Sequence, residues 1–103
     1  MRTAADLRTL KANAHDAAAF LSVLANDKRL LVLCELAVAG ERSVGDLAVA
    51  VDLSQSALSQ HLAKLRAEDL VETRREAQTI YYRIGPNPMI KRTLALLKQL
   101  FCP

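Results

Sequence analysis

The sequence predicts a mostly helical fold with one small β-hairpin, and three observations lead there. Apolar residues recur at helical spacing in five separate stretches. Glycine and proline together number only six, mostly at the breaks between those stretches. One segment after Leu70 changes from a helical period to a two-residue period. A chain of 103 residues reads as a single domain, 1–103. A domain of this size removes only about 60 to 68 per cent of its unfolded surface from water, so a second subunit would help stabilise it.

Ala4–Leu24 consists almost wholly of helix formers, with Leu7, Leu10, Ala14, Ala17, Leu21 and Leu24 at helical spacing. Asn26 or Asp27 can cap a second helix, KRLLVLCELAVA, which stops at Gly40. Leu30, Leu31, Leu33, Cys34, Leu36 and Ala37 surround most of this helix, which predicts deep burial on nearly every side. Ser43 with Asp46 three residues on resembles a capping box and opens the short helix SVGDLAVAV. After a brief break at Asp52 and Leu53, Ser54 caps a helix over 55–68 with one apolar stripe, Leu58, Leu62 and Leu65. Two short helices joined by so tight a turn describe a helix-turn-helix.

VETRREAQTIYYRI follows, with β-prone arms at 71–75 and 79–84 around a polar tip at Glu76, Ala77 and Gln78. Gly85, Pro86, Asn87 and Pro88 end the second arm. A last helix over 89–101 aligns Ile90, Leu94, Leu97 and Phe101, and Leu96 with Leu100 widens its apolar face. So broad a face implies contact with both its own core and another subunit. The chain shows no internal repeat.

Charge is distributed unevenly. Residues 1–52 carry six Lys/Arg against seven Asp/Glu, whereas residues 53–103 carry eight against four. A positive field centred on the second half suits a polyanion such as nucleic acid. No apolar run approaches the 18 or so residues of a membrane span, and no apolar signal core follows the first basic residue. The expected location is therefore cytoplasmic, with no membrane partner. Two cysteines, Cys34 and Cys102, are too few and too far apart for a secreted disulfide framework. If both matter, they point to redox chemistry rather than architecture.

The fourth helix carries the most informative side chains. With Leu58, Leu62 and Leu65 inward, a step of about 100° per residue turns Ser56, Ser59, Gln60 and Ala63 outward. Short or hydrogen-bonding side chains let a helix approach base edges in the major groove, where Ser and Gln supply donors and acceptors. Gln55 and Lys64 flank this face, within reach of bases and phosphates respectively. His61 lies beside the inward stripe and reads as a structural or phosphate-contacting histidine rather than a metal ligand. Near the hairpin tip, Arg74, Arg75, Gln78 and Thr79 cluster where a wing meets phosphates or the minor groove. Charged tips are also often only solvated.

SVGDLAVAVDLSQSALSQHLAKLRAEDLVETRREAQTIYYRI, with its flanking helices, resembles the ArsR/SmtB family of bacterial transcription repressors. The resemblance implies a winged helix-turn-helix (α-α-α-α-β-β-α), a homodimer through the first and last helices, and palindromic double-stranded operator DNA as partner. Many members sense metals through a Cys-x-Cys motif near the third helix or Asp/His pairs on the last. Here those places read SVGDL and MIKRTLALLKQLF, without such ligands, so neither a metal site nor a cofactor is expected.

The positions of Cys34 and Cys102 instead resemble the dithiol, BigR/SqrR/HlyU-like branch of the family. That branch implies redox sensing: reactive sulfur species or oxidants join the two thiols, directly or through added sulfur atoms, and the repressor leaves its operator. From the residues alone, Cys34 reads as an inert core residue and Cys102 as an exposed terminal thiol, and it is the resemblance that favours sensing instead. Two alternatives stand beside this reading, a metal-responsive repressor with a non-standard site and a protein-interaction module that no longer binds DNA. An enzyme is not expected, since no paired carboxylates, phosphate-cradling glycine loop or nucleophile-base set can be identified.

Overall fold

The computed structural model describes residues 3–102. Within them run α1 (Ala4–Leu24), α2 (Asp27–Ala39), β1 (Arg42–Ser43), α3 (Val44–Val51), α4 (Gln55–Ala67), β2 (Val71–Glu76), β3 (Thr79–Ile84) and α5 (Ile90–Phe101). Side chains set the helix starts. Thr3 accepts from the Asp6 N–H, Asn26 from those of Lys28 and Arg29, Ser43 from Asp46, and Ser54 from Ala57. Each such cap is worth about 0.5 to 2 kcal/mol, because it satisfies N–H groups that the helix itself leaves without acceptors. Asn26, not Asp27, is the cap of α2, and Gly40 at φ 83° ends that helix in a conformation that suits a residue without Cβ.

The hairpin pairs β2 and β3 antiparallel, from Val71 opposite Ile84 to Glu76 opposite Thr79. A third strand was not anticipated. β1 adds to the free edge of β3, Arg42 opposite Tyr82 and Ser43 opposite Tyr81, giving the order β1-β3-β2. Two residues offer no alternation to read, so only the partner strand reveals them.

Among the described residues fifteen buried apolar side chains form one core, with Leu33, Leu36, Leu47, Leu58, Leu65, Leu70 and Ile90 wholly enclosed. The α4 stripe of Leu58, Leu62 and Leu65 is buried as expected, and the helix ends at Ala67. Where the hairpin leaves the core, Gly85 donates to the Leu70 carbonyl at 2.9 Å. A Cβ at Gly85 would collide with the backbone of Asp69 and Val71, so this crossing requires glycine.

The expectation for α2 needs correction. Val32, Leu33 and Leu36 are buried, but Leu31 and Val38 are exposed and so is Cys34. An apolar circumference had suggested burial all round, whereas the chain's own elements cover a single face. The same holds elsewhere. Along all of α1 only Phe20 and Leu24 are buried while Leu7, Leu10 and Leu21 are exposed, and on α5 Ile90 and Leu94 are buried while Leu96, Leu100 and Phe101 are exposed. Among the described residues no helix is long and apolar enough to cross a membrane.

Candidate nucleic-acid interface and thiol groove

α4 stands with its polar face to solvent. Gln55, Ser56, Ser59, Gln60, Ala63 and Lys64 are all exposed, so the outward set is as the helical spacing requires. At its start Ser54 and Ser56 share a hydroxyl hydrogen bond of 3.3 Å beside the capping bond. The first turn thus presents hydroxyls and N–H groups at the positive end of the helix dipole, a suitable place for a phosphate. His61 behaves differently from its neighbours. It is half-buried, and its Nδ1 accepts from Arg29 Nε at 3.4 Å, while Arg29 also donates to the Val23 carbonyl at 3.1 Å. Arg29 thereby ties the end of α1 to α4. Nothing in the local sequence pattern singles Arg29 out.

In the wing, the four tip residues are not equivalent. Arg74 is caged: it donates from Nε to both Glu41 carboxylate oxygens at 2.9 Å, from a terminal nitrogen to Glu41 at 2.6 Å, and from the other to Glu76 at 2.9 Å. Its guanidinium also lies 4.5 Å from the Tyr81 ring centroid. The Arg74 hydrogen bond holds the Glu41 carboxyl below the usual carboxylate range, and Glu41 with Glu76 raises Arg74 further above its already high ordinary value. Arg74 is therefore a sheet fastener rather than a free tip cation. Arg75 is exposed, donates only to the Ala77 carbonyl at 3.2 Å and forms no ion pair among the described residues. Gln78 and Thr79 are exposed beside it. Glu41 went unnoticed in the sequence because its partner lies 33 residues away.

The second feature lies between α2 and α5. There an apolar groove of about 490 Å³ is lined by Leu30, Ala37, Val38, Leu94, Leu97 and Phe101, with Lys98 at its edge. Both Cys34 and Cys102 line it. Cys102 closes α5, its N–H donating to the Lys98 carbonyl at 2.8 Å. Burial pushes the Cys34 thiol above its ordinary pKa, and the negative charge of a Cys102 thiolate pushes it further in the same direction. Cys34 is thus accessible to small molecules yet less ready than an ordinary cysteine to ionise. Among the described residues no group of three or more His, Cys, Asp or Glu could hold a metal ion.

The model for bacterial regulatory proteins of the arsR family matches residues 26–73, from the α2 cap into β2. The structure of reduced HlyU from Vibrio cholerae is 44% identical, with a TM-score of 0.84 over 93% of this chain and 99% of that one. The chain belongs to the ArsR family. As an ArsR-family protein it is a transcriptional regulator with a DNA-binding winged helix-turn-helix, not an enzyme. It is also 60% identical over 79 residues to the nodulation protein NolR of Rhizobium meliloti, a match spanning 77% of this chain and 64% of NolR. The transcriptional repressor BigR from Xylella fastidiosa superimposes with a TM-score of 0.82 at 34% identity, over 93% of this chain and 96% of that one. HlyU, NolR and BigR place this ArsR-family chain in the HlyU/BigR-like branch.

Proposed function

We propose that this chain is a single-domain, homodimeric repressor that grips palindromic operator DNA and lets go when Cys34 and Cys102 become linked. The observation that carries the switch is the groove: two thiols far apart in sequence line one cleft between α2 and α5. A direct disulfide needs Cα atoms about 4.4 to 6.8 Å apart, and inserted sulfur atoms relax that limit. Cys102 is the C-cap just past the last turn of α5, where small movements cost little. A persulfide or an oxidant supplies the electrophile, one thiolate attacks it, and the second thiol resolves the product.

On the DNA side, Gln55, Ser56, Ser59 and Gln60 read base edges while Lys64, Arg75, Gln78 and Thr79 meet the backbone. Arg74 holds the wing in shape through Glu41, and His61 is set by Arg29. Dimerisation is supported by the uncovered leucines of α1 and α5, since faces of this kind are left for a second copy. Linking the thiols tightens α5 against α2, which moves one subunit's α4 relative to the other's. Half-sites about 34 to 36 Å apart tolerate little such motion.

Replacing Cys102 with Ser tests this directly. The variant is expected to bind its promoter fragment as the parent does and to stay bound after persulfide treatment, measured by fluorescence anisotropy. Release of the variant at the parent's persulfide concentration would refute the switch. Intact mass would show which link forms: loss of two hydrogens for a disulfide, or steps of about 32 Da for inserted sulfur.

A further inference from the structure

The groove bears on which electrophile reaches the thiols, and this inference rests on the switch proposed above. Its walls are aliphatic and aromatic: Leu30, Val38, Leu94, Leu97 and Phe101 contribute side chains that cannot hydrogen-bond. Its volume, about 490 Å³, lies within the range of small-molecule sites, about 300 to 1,000 Å³. Among the described residues Lys98 is its one charged lining residue, and the two thiols are its nucleophiles toward soft electrophiles. A tripeptide thiol bearing two carboxylates would have to leave those charges against a hydrocarbon wall, which is unfavourable. An alkyl or aryl tail would instead exchange water for that wall.

We propose that the groove is a binding site for the apolar tail of the inducer, so that the chain responds preferentially to organic hydroperoxides and persulfides carrying a hydrocarbon group. Cys102 is the attacking thiol, because it stands at the exposed end of α5, whereas Cys34 lies along α2 where burial disfavours its thiolate. With a hydroperoxide ROOH, the Cys102 thiolate takes the terminal oxygen, the O–O bond breaks, and RO⁻ picks up a proton to leave as ROH. The Cys34 thiol then displaces hydroxide from the Cys102 sulfenic acid, forming the disulfide and releasing water. With a persulfide RSSH, the Cys102 thiolate takes the outer sulfur and RS⁻ leaves with a proton as RSH. The Cys34 thiol then forms the disulfide and releases hydrogen sulfide. In both routes the inducer is reduced by two electrons and the thiol pair is oxidised by two.

The experiment compares rate constants for thiol loss in the reduced full-length chain with cumene hydroperoxide and hydrogen peroxide, and with a benzyl persulfide and glutathione persulfide. Each is normalised to free N-acetylcysteine with the same reagent. The expected result is a normalised preference of about tenfold or more for the apolar member of each pair, in line with burial of a few carbon atoms. A preference in the oxygen pair alone or the sulfur pair alone would identify that class as the inducer. Leu97→Gln is expected to remove most of the preference. Phe101→Ser, at a residue 77% exposed and hence safe for folding, is expected to do the same.

Equal normalised rates within both pairs, or an undiminished preference in both variants, would overturn the proposal, as would thiols no faster than N-acetylcysteine with every reagent. The switch is tested separately, by forming the disulfide with copper phenanthroline and measuring operator binding. A disulfide that leaves binding unchanged would sink the switch without altering the selectivity ratio.

Discussion

The two halves of this molecule are finished to different degrees. On the side of α4 and the hairpin, every large apolar residue of α4 is buried and the outward positions are small or polar. On the side of α1 and α5, leucines stand in solvent at positions 7, 10, 21, 96 and 100. A helix face that is polar outward, like that of α4, suits a ligand that is polar and charged, as DNA is. A surface left apolar suits a second protein chain. The contrast fits the proposed reading, in which one half faces nucleic acid and the other serves assembly and the thiols.

The largest expected effect comes from breaking the assembly half. Leu96→Glu with Leu100→Glu puts charges on the exposed face of α5 without touching buried Ile90 or Leu94, so the fold survives. Sedimentation should then show a monomer, and operator affinity should fall by about 100-fold or more because two half-sites are no longer held together. A dimer that persists in this variant would move the interface elsewhere.

A smaller effect separates two neighbouring arginines of the reading half. Arg75→Ala should weaken binding similarly on all DNA sequences and lower the slope of log affinity against log salt by about one. Arg74→Ala should leave that slope nearly unchanged and instead increase hydrogen exchange in β1 and the wing, because its guanidinium is committed to Glu41 and Glu76. If Arg74→Ala lowers the slope as much as Arg75→Ala does, the cage opens on DNA and the distinction fails.

The smallest effect is a shift in a titration. The alkylation rate of Cys34 with iodoacetamide should rise with pH along a curve displaced above that of an ordinary cysteine, since burial and the Cys102 charge both disfavour its thiolate. Cys102→Ser should bring the curve only part of the way back, because burial, the larger cause, remains. A curve at or below the ordinary cysteine position would reverse the order of attack proposed for the two thiols.

Much of this was legible in the sequence because it depends on neighbours a few residues apart. The caps Asn26, Ser43 and Ser54, the stripe Leu58, Leu62 and Leu65, and the two hairpin arms all follow from local spacing. What stayed hidden depends on distant partners. β1 exists only because β3 passes beside Arg42 and Ser43, and Arg74 looks like a free cation until Glu41 is brought to it. Cys34 illustrates a third kind of limit. Periodicity reports how apolar a helix is, but not whether its cover comes from the same chain, so a deeply buried α2 was expected where a solvent-facing thiol stands.

Arg74, Tyr81 and Ser43 occupy one row across the three strands, and the guanidinium spans that row to grip the carboxylate just ahead of β1. A hairpin pinned at that point to the lead-in of α3 has little freedom to swing alone. The wing and the lead-in of α3 are therefore held to each other through Arg74 and Glu41. On the proposed reading, loss of grip on a promoter is expected to come from a change of spacing between two subunits rather than from slack in this corner of the wing.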